Sequence, residues 1–233
     1  MQKKPVAILG ATGTVGQKMI ALLENDPHFY VAEVAASEKS FGKKFSDIVR
    51  WREKTLMPKS VGDLTLKDLK EVESNLVVSA LPAEIALEIE PFLAEKGKLV
   101  FSNASAFRMH EKTPLLIPDI NISHLELLKE QKTSGKIITN PNCSTVFLAM
   151  GLHPLLKLGN VQHVSVVTLQ ALSGAGYPGV ASLDALNNIV PNIGGEEKKI
   201  TEEVKKILGT TTTPANFTVT THVHRVPIHH GHT

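Results

Sequence analysis

Residues 6–16 read VAILGATGTVG, an apolar run followed by three closely spaced glycines. The run predicts a strand over Val6–Gly10, and apolar residues three and four positions apart predict a helix over Thr14–Asn25. Glycines between such a strand and helix permit a tight turn and let backbone N–H groups approach an anion. The stretch therefore predicts the first turn of a dinucleotide-binding α/β fold.

The glycine spacing alone is a weak indicator of nucleotide binding. It departs from the G-x-G-x-x-G pattern, and glycines at strand-to-helix turns are often purely structural. The position of the turn, at the start of an alternating strand and helix pattern, favours a bound pyrophosphate. The residues expected to lie against it are Gly10, Thr12, Gly13, Thr14, Val15 and Gly16.

The rest of the first 140 residues continues to alternate short apolar runs with amphipathic ones. This alternation predicts a doubly wound parallel sheet of the Rossmann type, with helices on both faces. We assign residues 1–140 to this domain. The further strands are Val31–Ala36, Leu76–Ala80, Leu99–Phe101 and Lys136–Thr139, and the further helices begin at Pro82 and span Ile122–Lys132.

After Pro141 the pattern changes to long β-branched strands with helices between them, which predicts an α+β domain over residues 141–233. A strand directly before Thr233 would ordinarily pair with a following segment, so we expect this domain to be incomplete. Its strands are Val161–Gln170 and Phe217–Ile228, and its helices are Ser144–Leu156, Asp184–Val190 and Glu196–Leu208. In the last helix, a solvated face is expected for Glu202, Glu203, Lys205 and Lys206.

Composition argues against several broad classes of protein. The chain is 42% hydrophobic and 21% charged, as in globular proteins, and its net charge of +2 gives no broad basic field for nucleic acid. The apolar run near the N-terminus is too short for a signal peptide or a membrane span. Its single cysteine precludes an intrachain disulfide and fits the reducing cytoplasm.

The segment after the second strand bears on which dinucleotide binds. NAD-binding domains usually place Asp or Glu at the end of this strand to hold the ribose 2′-hydroxyl. Here Ala36 is followed by Ser37, Lys39 and Ser40, which can hold a 2′-phosphate through charge-assisted hydrogen bonds, provided that Glu38 points away. The segment therefore predicts NADP, and the alternative is an ordinary solvated loop.

The only cysteine, Cys143, lies between a predicted strand and a predicted helix. Asn142 can cap that helix and place Cys143 in its first turn. The helix dipole and the unpaired N–H groups there favour a thiolate and can stabilise an oxyanion. A lone cysteine is otherwise a small buried apolar residue. Its place at a helix start beside a nucleotide-binding fold favours the nucleophile.

Six motifs occur in order along the whole chain: GATGTVG (10–16), SNAS (102–105) followed by Arg108, NPNCST (140–145), QALSGAG (170–176), GGEEKK (194–199) and RVPIHHGHT (225–233). Together they resemble aspartate-semialdehyde dehydrogenase, particularly its archaeal and fungal branch. The resemblance implies an NADP-dependent, phosphorylating oxidoreductase that interconverts L-aspartate 4-semialdehyde and phosphate with L-4-aspartyl phosphate through a cysteine thioester. This reaction serves the biosynthesis of lysine, threonine, methionine and isoleucine.

The resemblance also implies the catalytic residues. Cys143 would be the nucleophile, His232 the acid–base catalyst, and Gln170 would help to position the bound intermediate. Because several histidines lie near His232, a metal site is the alternative. We predict no metal, because His222 and His224 have no cysteine or carboxylate close by in sequence.

Binding roles follow from the same resemblance. Arg225 would hold the substrate carboxylate, because a guanidinium can pair with a carboxylate through two hydrogen bonds. Either Glu196 or Glu197 would hold the substrate ammonium group. Inorganic phosphate or the acyl phosphate would contact Asn103, Arg108 and Lys199. Within the stretch Ser173–Gly176, Ser173 and Gly174 would lie along the cofactor.

Members of this family continue for roughly another third of a typical chain, which completes the second, catalytic and dimerisation domain. The resemblance implies a homodimer or homotetramer at full length, with a small-molecule substrate and phosphate as ligands and with no nucleic-acid or membrane partner. Two alternatives remain open. One is a malonyl-CoA or succinyl-CoA reductase on the same scaffold, and the other is an inactive NADP-binding fragment.

Overall fold

The computed structural model describes residues 2–229 and 231. The chain divides into two compact units. The first extends to Phe107 and includes Leu128–Thr139, and the second comprises Arg108–Leu127 and the residues from Asn140 onward. In the described part of the chain, no helix is both long enough and apolar enough to cross a membrane.

A five-stranded parallel sheet forms the centre of the first unit. The four consecutive residues from Val6 to Leu9 are all buried, as expected where helices cover both faces of a parallel sheet. Its strands are β1 (Lys4–Leu9), β2 (Phe29–Ala35), β3 (Leu76–Ser79), β4 (Leu99–Ser102) and β5 (Lys136–Thr139). Its helices are α1 (Thr14–Leu23), α2 (Phe45–Ile48), α3 (Lys59–Gly62) and α4 (Ala83–Glu95).

The strand order β2-β1-β3-β4-β5 positions the glycine-rich turn. The chain passes from β1 outward to β2 and then returns across β1 to β3, so the strand order reverses beside the carboxyl end of β1. Ligands of doubly wound sheets bind at this kind of reversal. The turn at Gly10 lies directly after β1, and the predicted Rossmann-type arrangement is confirmed.

The second unit contains a three-stranded mixed sheet in the order β6-β8-β7. Strands β6 and β8 are parallel, and β7 is antiparallel to β8. The strands are β6 (His163–Gln170), β7 (Val190–Pro191) and β8 (Thr218–Arg225), and the helices are α5 (Pro118–Asn121), α6 (Cys143–Leu156), α7 (Ser182–Ala185) and α8 (Glu196–Leu208). The apolar core of this unit contains Leu115, Ile117, Ala149, Leu152, Val204, Ile207 and Phe217.

Two sequence predictions require correction. The helix predicted over Asp184–Val190 is wrong, because α7 ends at Ala185 and Asn187 adopts a left-handed backbone with φ 53° before β7. Residues Ile122–Glu130 form 3-10 turns in place of the predicted α-helix, and apolar residues every third position suit three residues per turn. Residues 108–127 pack with the second unit, because Leu115 and Ile117 lie in its apolar core.

Candidate active site

Cys143 is the first residue of α6, and its side chain is exposed. Asn142 precedes it with an extended backbone, and its side-chain oxygen accepts a hydrogen bond of 2.9 Å from the Ser144 N–H. The predicted N-cap is therefore confirmed. The cap fixes the start of the helix and places the Cys143 sulfur beside its first turn.

The ionisation of Cys143 is governed by opposing influences. Partial burial of the thiol and the negative charge of Glu196 raise its pKa above the ordinary value, while hydrogen bonding with Ser144 lowers it. The N–H groups at the helix start act in the predicted direction, toward the thiolate, but burial and Glu196 outweigh them and the net direction of the pKa shift is upward. A positive group that neutralised Glu196 would remove one of the two causes.

Glu196 forms a polar network with its neighbours at the start of α8. One carboxylate oxygen accepts 2.7 Å from the Asn142 side-chain amide, and the other pairs with the Lys199 ammonium at 3.0 Å. The structure therefore brings two predicted binding residues, Glu196 and Lys199, beside the residue that caps the Cys143 helix.

Arg108 joins the same network through Glu203. Its guanidinium donates 3.0 Å to one oxygen of Glu203, and the other oxygen accepts 2.7 Å from the Asn142 backbone N–H. Glu203 is only 1% exposed, so its assignment to a solvated helix face is wrong. Its spacing from the buried Ile200, Val204 and Ile207 could have predicted this burial.

Lys206 is the second charged residue of α8 for which a solvated position is wrong. Its ammonium donates to the backbone oxygens of Arg108, His110 and Thr113, at 2.6–2.9 Å. Burial lowers the pKa of Lys206 to about 8, against the opposing effect of Glu203. This lysine thus fastens the segment that carries Arg108 to α8.

Gln170 and Arg225 are brought together at the carboxyl ends of β6 and β8. They are register partners in the parallel pair, and both are buried. The Arg225 guanidinium donates 2.7 Å to the Ala171 carbonyl, and the Gln170 side-chain amide donates 3.2 Å to Thr168. This end of the sheet presents a guanidinium and a carboxamide on adjacent strands.

The segment after β8 runs back along residues 171–173. The Ser173 N–H donates 3.2 Å to the His229 carbonyl, and the Ala171 N–H donates 3.0 Å to the Gly231 carbonyl. Gly174 follows in the same turn. The predicted acid–base residue His232 lies outside the described residues. Within residues 2–229 and 231, no three histidine, cysteine or carboxylate side chains are grouped as metal ligands would be.

In the first unit, the turn between β1 and α1 has no room for side chains at two of its glycines. Gly10 has φ +68°, and a Cβ there would lie 2.6 Å from the Ala80 oxygen. A Cβ on Gly16 would lie 2.4 Å from the Gly10 oxygen. The first hydrogen bond of α1 runs from the Gln17 N–H to the Gly13 oxygen. The N–H groups of Thr14, Val15 and Gly16 lie in the first turn, before this first bond of the helix. These groups fit a pyrophosphate.

Gln17 also holds this turn in place, a role that sequence analysis missed. It is fully buried, and its amide donates 2.9 Å to the Thr12 carbonyl and 3.3 Å to the Arg50 carbonyl. Its oxygen accepts from the Arg52 N–H at 2.8 Å. Gln17 lies opposite Val15, Met19 and Leu22 on the predicted helix, so the apolar periodicity did not indicate its burial.

The predicted 2′-phosphate segment forms an exposed turn after β2. Ser37 and Glu38 line a cavity of about 340 Å³, whereas Lys39 and Ser40 do not line it. Asn103, the predicted phosphate ligand of the first unit, follows β4, and its N–H donates 2.8 Å to the Ser79 carbonyl.

Comparison with known proteins places both units in one family. Residues 5–128 match the family described as semialdehyde dehydrogenase, NAD binding domain, and residues 152–233 match its dimerisation domain. Aspartate-semialdehyde dehydrogenase from Archaeoglobus fulgidus is 46% identical over 98% of this chain, and that from Schizosaccharomyces pombe is 42% identical over all of it. The chain spans 69% of the length of each relative.

A solved structure shows the same relation. The crystal structure of aspartate-semialdehyde dehydrogenase with NADP from Candida albicans superposes with a TM-score of 0.90 at 36% identity, covering 98% of this chain and 69% of that one. The predicted archaeal and fungal resemblance is confirmed. From its sequence motifs, its two units and these relatives, we conclude that the chain belongs to the aspartate-semialdehyde dehydrogenase family.

Proposed function

We propose that this chain catalyses the NADP-dependent interconversion of L-aspartate 4-semialdehyde and phosphate with L-4-aspartyl phosphate, in the biosynthesis of lysine, threonine, methionine and isoleucine. One observation carries the proposal most directly. Cys143 opens α6, and hydrogen bonds from Asn142 connect its N-cap to Glu196 and Glu203 and so to Lys199 and Arg108. Groups suited to an ammonium ion and to a phosphate are thus linked by hydrogen bonds and ion pairs to the residue that caps the helix of the nucleophile.

The first half of the oxidative reaction uses the thiol. The Cys143 thiolate attacks the aldehyde carbon to form a hemithioacetal, and the first-turn N–H groups of α6 stabilise the oxygen that becomes negative. Glu196 receives the substrate ammonium and Arg225 its carboxylate. Because Glu196 raises the pKa of Cys143, a bound ammonium that neutralises it favours the thiolate when substrate is present.

The second half releases the acyl group. Once the hemithioacetal is oxidised to a thioester, an oxygen of inorganic phosphate attacks its carbonyl carbon, the carbon–sulfur bond breaks, and the Cys143 thiolate leaves with aspartyl phosphate as the product. Arg108 and Lys199 neutralise the phosphate, together with Asn103. In the oxidation that precedes this attack, His232 takes the proton of the hemithioacetal hydroxyl group. NADP, when bound, accepts the hydride released in the oxidation.

Cofactor binding is assigned to residues 1–140, and catalysis and dimerisation are assigned to residues 141–233. The pyrophosphate would lie on the Gly10–Gly16 turn, where the crowded glycines and the first-turn N–H groups support the assignment. Ser37, Lys39 and Ser40 would hold the 2′-phosphate, and Ser173 and Gly174 would lie along the cofactor. Lys39 is exposed and could reach an anion outside the cavity that Glu38 lines.

The match to a dimerisation domain supports self-association, and we propose a homodimer or homotetramer. A cytoplasmic location would suit the proposed chemistry. Its reducing conditions keep a nucleophilic cysteine in the thiol form.

The test is turnover of the purified chain with aspartate semialdehyde, phosphate and NADP, followed by the absorbance of NADPH. We expect Cys143→Ala to abolish turnover, because no other described residue supplies a thiol, while binding of NADP by calorimetry persists. Turnover of the Cys143→Ala variant at the parent rate would refute the thioester route. Phosphate-independent reduction of malonyl-CoA by the parent chain would favour the CoA-thioester reductase.

A further inference from the structure

Glu203 is a buried carboxylate with no part in the reaction described above. It is 1% exposed on α8, amid the apolar residues Ile200, Val204 and Ile207. Burying an ionised carboxylate is costly unless charged or hydrogen-bonding partners compensate for the lost water. The partners that compensate this cost therefore indicate the role of the buried Glu203 carboxylate.

Its two oxygens have different partners on different segments. One accepts from the Arg108 guanidinium at 3.0 Å, and the other accepts from the Asn142 backbone N–H at 2.7 Å. Asn142 caps α6 directly before Cys143. A single carboxylate thus joins the proposed phosphate ligand to the backbone that sets the position of the nucleophile.

We propose that Glu203 is a positioning residue that couples phosphate binding at Arg108 to the geometry of Cys143, an inference that rests on the proposed function. The planar guanidinium has its donors in a fixed geometry, so pairing with Glu203 fixes the orientation in which Arg108 would meet a phosphate. When phosphate binds Arg108, the shared carboxylate transmits the change in charge and position to Asn142. The position of the Cys143 nucleophile is thereby fixed relative to that of the attacking phosphate.

The first experiment measures binding of inorganic phosphate by calorimetry, without turnover. Glu203→Gln retains one acceptor oxygen for two donors, so one contact is lost. We expect it to weaken phosphate binding about ten- to a hundredfold, the cost of losing a hydrogen bond to a charged group. Glu202→Gln, at an adjacent partly exposed position, is the matched control and should bind as the parent does. Parent-like binding by Glu203→Gln overturns the proposal.

A double-mutant cycle separates coupling from a general loss of structure. If Glu203 acts through Arg108, then Arg108→Ala and the double variant should bind phosphate equally weakly, whereas independent effects would add. Additive losses overturn the proposal. Glu203→Asp keeps the charge but is too short to reach both partners, so it provides a milder variant with partial loss if Glu203→Gln does not fold.

The second readout is alkylation of Cys143 by iodoacetamide, which is specific because the chain has one cysteine. Phosphate should change the alkylation rate of the parent chain and of the Glu202→Gln variant. It should not change the alkylation rate of the Glu203→Gln variant, even at phosphate concentrations high enough to saturate that variant. An equal phosphate response in Glu203→Gln overturns the coupling. If the coupling is present and aspartate semialdehyde is not turned over, the proposed function fails and the positioning role of Glu203 stands.

Discussion

At the scale of single residues, the charge of Glu196 should be measurable in the reactivity of Cys143. Glu196 and partial burial raise the pKa of the thiol, so replacing the carboxylate with an amide removes one of these causes. We expect Glu196→Gln to lower the pKa of Cys143. The thiol should then become more reactive toward iodoacetamide at every pH below its parent pKa, because a larger fraction is thiolate.

The measurement is the alkylation rate of Cys143 as a function of pH, with Glu202→Gln as control. Glu202 lies on the same helix and pairs with Lys198, away from the Asn142 contacts. The control profile should coincide with that of the parent chain. A Glu196→Gln profile shifted to higher pH would show that the carboxylate favours the thiolate, contrary to the electrostatic argument.

Residue roles were predictable where local sequence determines them. Asn142 was predicted as a helix cap because a short polar side chain before an apolar helix has few other uses, and the structure confirms it. The burial of Glu203 could be predicted from its helix face, but its partner Arg108 could not, because Arg108 is 95 positions away in the chain. The cavity that Ser37 and Glu38 line is formed together with Asp68, Lys70 and Glu88, which are about 30 to 50 positions away and could not be grouped with them from local sequence.

At the scale of elements, the β1–α1 turn allows a sharp test. A Cβ at Gly16 would lie 2.4 Å from the Gly10 oxygen and 2.7 Å from the Ala11 Cα, both backbone atoms that a side-chain rotation cannot relieve. We expect Gly16→Ala to displace the turn. NADP binding, measured by calorimetry, should weaken at least about tenfold, as expected when backbone N–H contacts to phosphates are lost.

Gly151→Ala is the matched control for this substitution. Gly151 is exposed within α6, and a Cβ there meets nothing within 4 Å. Because alanine favours the helix over glycine by about 1 kcal/mol, this variant should unfold at the same or a higher temperature and bind NADP as the parent does. NADP binding by Gly16→Ala with parental affinity would contradict the role of the turn.

Helices and strands could be predicted where apolar residues recur at a regular spacing. The strands of the first unit and α6 and α8 follow clear patterns, and the structure confirms them within a few residues. The stretch 182–192 lacks such a pattern. Its Asn187 and Asn192 adopt positive φ angles, and Pro191 forms part of a two-residue strand that depends on pairing with Arg225 and His224. Those partners are distant in sequence and not predictable from it.

At the scale of the whole molecule, the three-stranded β6-β8-β7 sheet has a face suited to self-association. Val167 is 60% exposed and Leu169 is 37% exposed on the same side of β6, and His222 lies opposite Val167 on β8. If this face is the dimer contact, Val167→Glu should bury an unpaired carboxylate there. We expect the dissociation constant of the dimer, measured by sedimentation, to rise at least about a hundredfold.

Leu158→Glu controls for adding a negative charge to the second unit. Leu158 is 85% exposed in the turn after α6, outside the sheet. Its substitution should leave the dissociation constant unchanged. Equal association of the parent chain and Val167→Glu would place the contact on another surface.

The arrangement of charged residues on α8 has a final consequence. Glu196, Lys199, Glu203 and Lys206 follow one another at intervals of three and four residues, and all four contact groups around the candidate site. Inserting or deleting one residue within this helix rotates the part downstream of the change by about 100° relative to the part before it. Such a change would misdirect every downstream contact at once. Length variation in α8 should therefore be tolerated far less than in the exposed Thr210–Thr213 turn that follows it.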